Sequence, residues 1–339
     1  MLEKYKPVII WLIVGAVMVF IMTAIGGITR LTESGLSIVD WNLVMGSIPP
    51  LTDDAWQAVF EEYKNFPEYQ TTHKHFTLKD FKGIFFWEFT HRLFGRLIGI
   101  VFLIPFFIFL KKGLIKGKLL KQLLILLAFG AFQGFLGWYM VSSGLVHEPR
   151  VSHFRLAAHL STAFFTISYS LWIALDLLQP NQTEVSIQKN LKSITWITFT
   201  LLAIQIIFGA FVAGKDAGMI HNFWPNMNPG EFISSEVFVG SNLFDSLINN
   251  PSGIQFTHRY IAYLVVSLVL ILWYQSRKKM DIETSKRFRV SAIIVAFQFL
   301  LGVLTLVFQV PLIIALLHQL GALLLLLSFI YILHRITSK

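Results

Sequence analysis

Eight apolar runs dominate this chain and constrain its fold more than any other feature. A helix needs about 20 consecutive apolar residues to cross a bilayer. The runs lie at about 8–28, 85–110, 119–142, 153–178, 192–213, 255–275, 288–309 and 312–334. Of the 339 residues, 55% are hydrophobic and only 14% are charged, whereas soluble domains have about 25% charged residues. The sequence therefore predicts an all-α polytopic membrane protein and excludes a soluble or disordered chain.

The basic residues are distributed unevenly between the two sides of the predicted membrane. The side with both termini and the short loops after the second, fourth and sixth runs has 17 of the 28 Lys and Arg but 5 of the 19 Asp and Glu. By the positive-inside rule this side faces the cytoplasm, or the matrix if the protein is mitochondrial, and we expect a bacterial inner-membrane protein. The net charge of +9 therefore reports topology, and we expect no nucleic-acid partner. We call the other side, with long loops at 30–84 and 214–254, the outer side.

The two halves of the chain resemble each other. Phe89-Thr90-His91-Arg92 in the second run recurs as Phe256-Thr257-His258-Arg259 in the sixth, and Phe132-Gln133 in the third recurs as Phe297-Gln298 in the seventh. A histidine follows in the fourth and eighth runs, His159 and His318. Because both halves start on the same side, we predict a parallel repeat. The expected domains are two four-helix bundles, 1–180 and 181–339, related by a pseudo-twofold axis.

Four histidines recur in matching pairs, His91 with His159 and His258 with His318. All four are expected in the outer half of the membrane, and ionisable groups there are functional by default. Facing imidazoles from two helices can hold one haem iron or another metal. The alternatives are a structural histidine bonded to a neighbouring helix, and zinc, for which we find no third ligand. Arg92 and Arg259 are candidate contacts for haem propionates or residues that reach the outer interface.

The remaining candidates have weaker patterns. Arg30, Arg150 and Arg155 are looser propionate candidates, and His147, His153, His221 and His334 have no evident partner. His73 and His75 form an H-x-H pair that suits a metal, although a solvated loop is the preferred interpretation. The chain has no cysteine, which excludes disulfides, iron–sulfur clusters and thiolate ligation.

One position breaks the repeat in a chemically informative way. Glu88 lies one turn outward of His91, and Gln255 occupies the same place before His258. A carboxylate can exchange protons or stabilise a developing cation, whereas an amide can only hydrogen-bond. We therefore predict the reacting site in the first bundle and an electron-transfer haem in the second. The alternative is that Glu88 pairs with Arg92 or lies in interfacial water.

The chain resembles the haem A synthase family of aerobic bacteria and mitochondria, in its cysteine-free branch. The similar stretches cover all eight runs and both long loops, and they are 26–37, 88–92, 159–160, 212–214, 222–227, 255–259 and 318–319. The resemblance implies oxidation of the C8 methyl of haem O to a formyl group by successive hydroxylation, giving haem A for cytochrome oxidase. It implies a permanent haem b on His258 and His318, haem O at His91 and His159, and an essential Glu88.

Other functions stay open at this point. A dihaem b-type cytochrome carrying electrons from quinol needs the same histidines, but it does not need Glu88 opposite Gln255. A haem carrier would bind haem without altering it. The expected partners are haem O and haem A, membrane lipid, the haem O synthase that supplies the substrate and the cytochrome oxidase assembly that receives the product. A homo-oligomer is also open.

Overall fold

The computed structural model describes residues 2–38, 48–142, 151–179 and 187–337. These residues form helices and turns, and no strand occurs among them. The helices are α1 (Leu2–Leu31), α2 (Asp53–Tyr63), α3 (Pro67–Thr71), α4 (Leu78–Lys111), α5 (Gly117–Val141), α6 (His153–Leu178), α7 (Lys189–Gly214), α8 (Leu243–Ile248), α9 (Pro251–Lys279), α10 (Ile282–Val307) and α11 (Leu312–Thr337).

Eight of these helices are long and apolar enough to cross a membrane, namely α1, α4, α5, α6, α7, α9, α10 and α11. Each matches one predicted run, so the prediction of an all-α protein with eight transmembrane helices is confirmed. The main differences are at helix starts, where polar caps extend the helix beyond its apolar run. Thr77 and Asp80 form a capping box that starts α4 at Leu78, and Asp281 caps α10 by accepting from the Thr284 N–H.

The chain divides into two compact units. One comprises residues 14–166, and the other comprises 1–13 together with 167–339. The predicted domain boundary between 180 and 181 and the two-bundle arrangement stay predictions. Within the larger unit, α7, α9, α10 and α11 pack on one another. Within 14–166, side chains of α1 contact α4, as where Met22 meets Gly95, and α5 contacts α6, as in the Phe129–Phe165 ring pair.

Each long outer loop has its own small helices. In the first loop, α2 and the following segment pack on the start of α4 around a buried cluster of Phe60, Tyr63, Phe81, Ile84 and Phe85. The second loop contains two 3-10 turns, Ala217–Met219 and Ser235–Phe238, and α8, all of which pack on α9. The loops therefore lie against the helices that carry His91 and His258.

Candidate functional site

His258 on α9 and His318 on α11 face each other. Their ring centroids are 6.4 Å apart and their planes are inclined by 83°. Two imidazoles that bind one metal from opposite sides, each at about 2.0–2.1 Å, have ring centres about 6 Å apart. Both residues are half-buried. At this separation His258 and His318 would be able to hold one haem iron between them.

Two glutamines from neighbouring helices form hydrogen bonds with this histidine pair. Gln298 on α10 donates from Nε2 to the His318 carbonyl at 2.9 Å, and His318 Nδ1 lies 3.2 Å from the Gln298 carbonyl. An Nδ1–H bonded to that carbonyl leaves the Nε2 lone pair for a metal. Gln205 on α7 donates to the His258 carbonyl at 2.9 Å, and its amide nitrogen also lies 3.1 Å from His258 Nδ1.

Glycines lie directly against three of the four imidazoles. A Cβ built on Gly209 would lie 3.2 Å from His258 Cε1, and one on Gly302 would lie 2.8 Å from His318 Cε1. A Cβ on Gly26 in α1 would likewise lie 3.0 Å from His91 Cε1. These contacts need the absence of a side chain, and they give each ring a close-fitting cradle. The residues present thus fit a flat macrocycle held between histidines.

The first half repeats this design with fewer supports. Gln133 on α5 donates to the His159 carbonyl at 3.0 Å, as Gln298 does to His318. His159 Nδ1 is buried without a hydrogen-bond partner among the described residues. Gly26 and Gly209 are equivalent because each lies against a histidine of its half. Gln205 lies four residues before Gly209, whereas Met22 lies four residues before Gly26. The amide that supports His258 therefore has no counterpart in α1.

Glu88 is buried, with its side chain only 4% exposed. One carboxylate oxygen, Oε2, accepts from the Ser37 hydroxyl at 2.7 Å and from the Ile38 N–H at 2.8 Å. The other, Oε1, is 2.6 Å from Arg92, which also donates to the Ile38 carbonyl at 2.6 Å. The pairing of Glu88 with Arg92 is therefore present, and the alternative of a solvated Glu88 is wrong. The ion pair holds the carboxylate one turn from His91 in a fixed orientation.

Gln255 and Arg259 hold the second outer loop in the equivalent way. Gln255 donates to the carbonyls of Ala217 at 2.7 Å and Ile220 at 2.5 Å. Arg259 donates to the carbonyls of His221, Phe223 and Asn226. Its Nε is buried and has no partner within the part of the chain that the structure describes.

Three of the remaining histidines, His73, His221 and His334, have polar side-chain partners, and His73 and His334 are buried. His73 is 4% exposed and hydrogen-bonded to Tyr63, so the expectation of a solvated His73 is wrong. His221 contacts Asn228 at 2.8 Å and Ser252 at 2.9 Å. His334 lies 3.0 Å from Asp176. Their partners are distant in sequence or lie in loops, which explains why helical spacing did not predict them.

The looser arginine candidates lie at different sites. Arg155 donates to the Tyr139 carbonyl at 2.6 Å and lies over the Tyr139 ring, 3.7 Å from its centroid. Arg30 lies in the last turn of α1. Arg150 and His147 fall outside the described residues. Sequence reasoning missed Gln205 and Ser37, although an alignment of Gly26 with Gly209 would have drawn attention to Gln205.

Comparison with known proteins gives consistent matches over the whole chain. Proteins named heme A synthase are 50% identical in Flavobacterium johnsoniae over 100% of both chains, and 48% identical in Flavobacterium psychrophilum over 99% of this chain and 100% of the relative. A heme A synthase of Nitrosospira multiformis is 41% identical over 98% of this chain and 94% of the relative. Residues 9–330 match the COX15-CtaA family, described as cytochrome oxidase assembly protein. The chain belongs to this family of cytochrome oxidase assembly proteins.

Proposed function

We propose that this chain is a haem A synthase, an oxidoreductase that converts the C8 methyl of haem O to a formyl group. Relatives with that name match it from end to end. The observation that carries the proposal is that one histidine site occurs twice, with a buried carboxylate beside His91 and a buried amide beside His258. A carrier or electron-transfer protein has no need for this difference.

We assign a permanent haem b to His258 and His318. The ring separation and the two supporting glutamines both suit an iron held by two histidines. A haem bound there supplies one-electron transfer. Gln205 and Gln298 orient the two imidazoles, and ligands oriented in this way bind a metal more tightly.

We assign the substrate, haem O, to His91 and His159. This pair has the glycine cradle of Gly26 and the amide of Gln133, but the described residues include no equivalent of Gln205 behind His91. A substrate must enter and its product must leave, so weaker support of the ligands suits this half. The asymmetry in ligand support agrees with the asymmetry between Glu88 and Gln255.

Glu88 is the proposed catalytic residue. Each hydroxylation of the methyl group breaks a C–H bond, and positive charge that develops on the porphyrin edge is stabilised by a fixed carboxylate nearby. The same carboxylate can accept the proton that leaves. Ser37, Ile38 and Arg92 hold Glu88 in place before the reaction, so little reorganisation is needed. Two successive hydroxylations, each of which passes two electrons to an external acceptor and takes up one oxygen atom, followed by loss of water, then give the formyl group.

Arg92 and Arg259 are the proposed propionate contacts. Both guanidinium groups lie one residue after a proposed iron ligand, and both already hold carbonyls of an outer loop. The Nε–H of Arg259 is the donor left for a carboxylate in the second site. Arginine forms strong charge-assisted hydrogen bonds with carboxylates.

The farnesyl tail of haem O needs an apolar surface near the first site. A row of exposed aromatic side chains runs along α5 beside Gln133, comprising Phe132, Phe135, Trp138 and Tyr139. We propose that the tail lies along this row. An extended aromatic row binds an isoprenoid chain through nonpolar contact and keeps it in the lipid phase.

The biological setting follows from the same proposal. Haem O synthase would supply the substrate, and cytochrome oxidase would receive haem A. We place the protein in the bacterial inner membrane with both termini cytoplasmic. A second copy of the chain is a further candidate partner.

Expression in a host that makes haem O but no haem A tests the function. Extracted haems are separated and weighed by mass spectrometry. Haem A or its hydroxymethyl precursor is the expected product. Recovery of haem B and unmodified haem O alone, from protein with a low-spin b-type spectrum, would instead favour the dihaem cytochrome or the haem carrier.

A further inference from the structure

Three titratable side chains form a buried, hydrogen-bonded row in the first outer loop. The Tyr63 hydroxyl lies 2.9 Å from Glu68 Oε2 and 2.7 Å from His73 Nδ1. Tyr63 is 0%, His73 4% and Glu68 6% exposed. Buried polar groups of this kind are costly unless each has a partner, and here each has one.

Both ends of the row hold transferable protons at neutral pH. Burial raises the pKa of Glu68 to about 8; the Tyr63 hydrogen bond opposes this rise, and the charges of Glu88 and Glu33 add smaller contributions to it. Burial likewise raises the pKa of Tyr63 and lowers that of His73. Glu68 is therefore a neutral acid and His73 a neutral imidazole, which can accept a proton on one nitrogen and release one from the other.

The inner end of the row lies close to the Glu88 site. Ile38 donates its N–H to Glu88 and packs its side chain on the aromatic cluster that contains Tyr63. The charge of Glu88 also contributes to the raised pKa values of Tyr63 and Glu68. Glu88 itself is buried, so a proton that it accepts needs a route to water.

The outer end reaches the surface. His73 Nε2 lies 3.8 Å from Glu33 Oε2, and the Glu33 side chain is 56% exposed. Glu33 adopts a left-handed conformation, with φ of 50°, at the end of α1. The titratable groups that act on the row from outside are Glu88 on Tyr63 and Glu68, Glu33 on Glu68 and His73, His75 on His73, and Tyr69 on Tyr63.

We propose that Glu68, Tyr63 and His73 form a proton relay that carries protons from the Glu88 site to water at Glu33. This inference rests on the proposed function, because oxidation of a methyl group releases protons next to Glu88. It adds a function for an outer-loop segment that touches neither haem site.

One passage through the relay moves protons only, and each group that loses a proton receives another. The Tyr63 hydroxyl donates to Glu68 Oε2 when that carboxyl is ionised and accepts from it when it is protonated. In the protonated form Glu68 gives its carboxyl proton to the Tyr63 oxygen, the Tyr63 proton moves to His73 Nδ1, and the His73 Nε2 proton leaves to Glu33 or water. The His73 ring must then exchange its Nδ1 proton for one on Nε2 before the next passage. One proton from the Glu88 side then restores the Glu68 carboxyl. Only O–H and N–H bonds form and break, and no electron is transferred.

Two variants and one matched control test the relay. Tyr63→Phe keeps the ring in the cluster and removes the hydroxyl that links Glu68 with His73. Glu68→Gln keeps a hydrogen-bonding side chain and removes the transferable proton. Tyr69→Phe is the control, since Tyr69 packs edge-on against Tyr63 at 5.7 Å but its hydroxyl donates to the Lys74 carbonyl, at 3.3 Å, and not to the row.

The first readout is haem O oxidation in H₂O and in D₂O. We expect Tyr63→Phe and Glu68→Gln to lower the rate at least tenfold with unchanged haem spectra and a larger solvent isotope effect, while Tyr69→Phe matches the parent chain. Small weak bases such as imidazole should partly restore the rate of Tyr63→Phe. Parent rates and isotope effects in both relay variants would overturn the proposal, as would a rate loss that accompanies loss of haem.

An infrared pH titration separates this inference from the proposed function. In the intact protein, the band of a protonated carboxyl should disappear near pH 8, be absent in Glu68→Gln and shift in Tyr63→Phe. If the parent chain makes no haem A, the proposed function is wrong. The titration still tests whether Glu68, Tyr63 and His73 share a proton, because it does not depend on enzyme activity. A carboxyl band unaffected by either substitution would overturn the relay whatever the enzyme activity.

Discussion

Glu88 and Gln255 occupy the same place in the two halves, but their hydrogen bonds run in opposite directions. Glu88 accepts from the Ser37 hydroxyl and the Ile38 N–H, whereas Gln255 donates to the carbonyls of Ala217 and Ile220. Each residue fixes the segment that follows the first helix of its half. The outer loop therefore presents a hydroxyl and a backbone N–H to a carboxylate in one half, and two backbone carbonyls to an amide in the other.

Glu88→Gln should lower haem A formation at least about 100-fold, the range found when one group that stabilises developing charge is removed. The amide oxygen of glutamine can still accept from the Ser37 hydroxyl and the Ile38 N–H, which both contact Oε2, so we expect the protein to fold and to retain haem. Haem extraction and the optical spectrum measure the two effects separately. Full turnover in this variant would remove Glu88 from the mechanism.

Gln255→Glu should destabilise the fold of the second half, and any effect on haem O oxidation should follow from that loss of stability. A carboxylate at this position would face the carbonyls of Ala217 and Ile220 and leave both without a donor. Loss of such buried hydrogen bonds costs about 1–3 kcal/mol each. We expect a lower thermal midpoint and loss of the haem b spectrum, and Gln255→Asn serves as the uncharged control. An unchanged spectrum in Gln255→Glu would contradict the hydrogen-bond directions.

Much of the fold and of the site could be predicted from the sequence. Length and apolarity determine the eight helices, since a spanning segment has few alternatives in lipid. The repeated motif around His91 and His258 placed both histidines on equivalent helices, and the difference between Glu88 and Gln255 was visible by alignment. These features depend on local sequence or on the repeat itself.

Other features depend on contacts between distant segments. The hydrogen bond from Gln205 to His258 joins two helices that are separated in sequence by the whole second outer loop. Only an alignment of Gly26 with Gly209 shows that Met22 occupies the position equivalent to Gln205. His73 looked like a solvated loop residue because its partners, Tyr63 and Glu68, become neighbours only when α2 and α3 pack on α4. Spacing along a helix carries no information about such contacts.

Substitution of the glycine beside His318 or of the glycine beside His91 should affect only the haem site of its own half. Gly302→Ala places a methyl group 2.8 Å from His318 Cε1, and overpacking of this kind costs about 1–3 kcal/mol. We expect it to disturb the low-spin spectrum of the second site. Gly26→Ala, whose methyl group would lie 3.0 Å from His91 Cε1, should reduce haem A formation and leave that spectrum intact.

A third glycine supplies the control for both variants. A Cβ on Gly134 in α5 would meet no atom within 4 Å, so Gly134→Ala should change neither the spectrum nor the product. If Gly26→Ala and Gly302→Ala gave the same phenotype, the assignment of substrate to one half and permanent haem to the other would be refuted.

The buried Glu68 predicts how stability depends on pH. Its pKa rises from 4.5 to about 8 on folding, so between these pH values the folded protein retains a proton that the unfolded chain has lost. The unfolded state then binds fewer protons, and stability must fall as pH rises through this window and level off above it. His73, whose pKa is lowered by burial, acts in the opposite sense below its ordinary value. We expect the thermal midpoint in detergent to fall by several degrees more between pH 7 and 8.5 in the parent chain than in Glu68→Gln. Equal pH dependence in the two proteins would mean that Glu68 is ionised in the folded state.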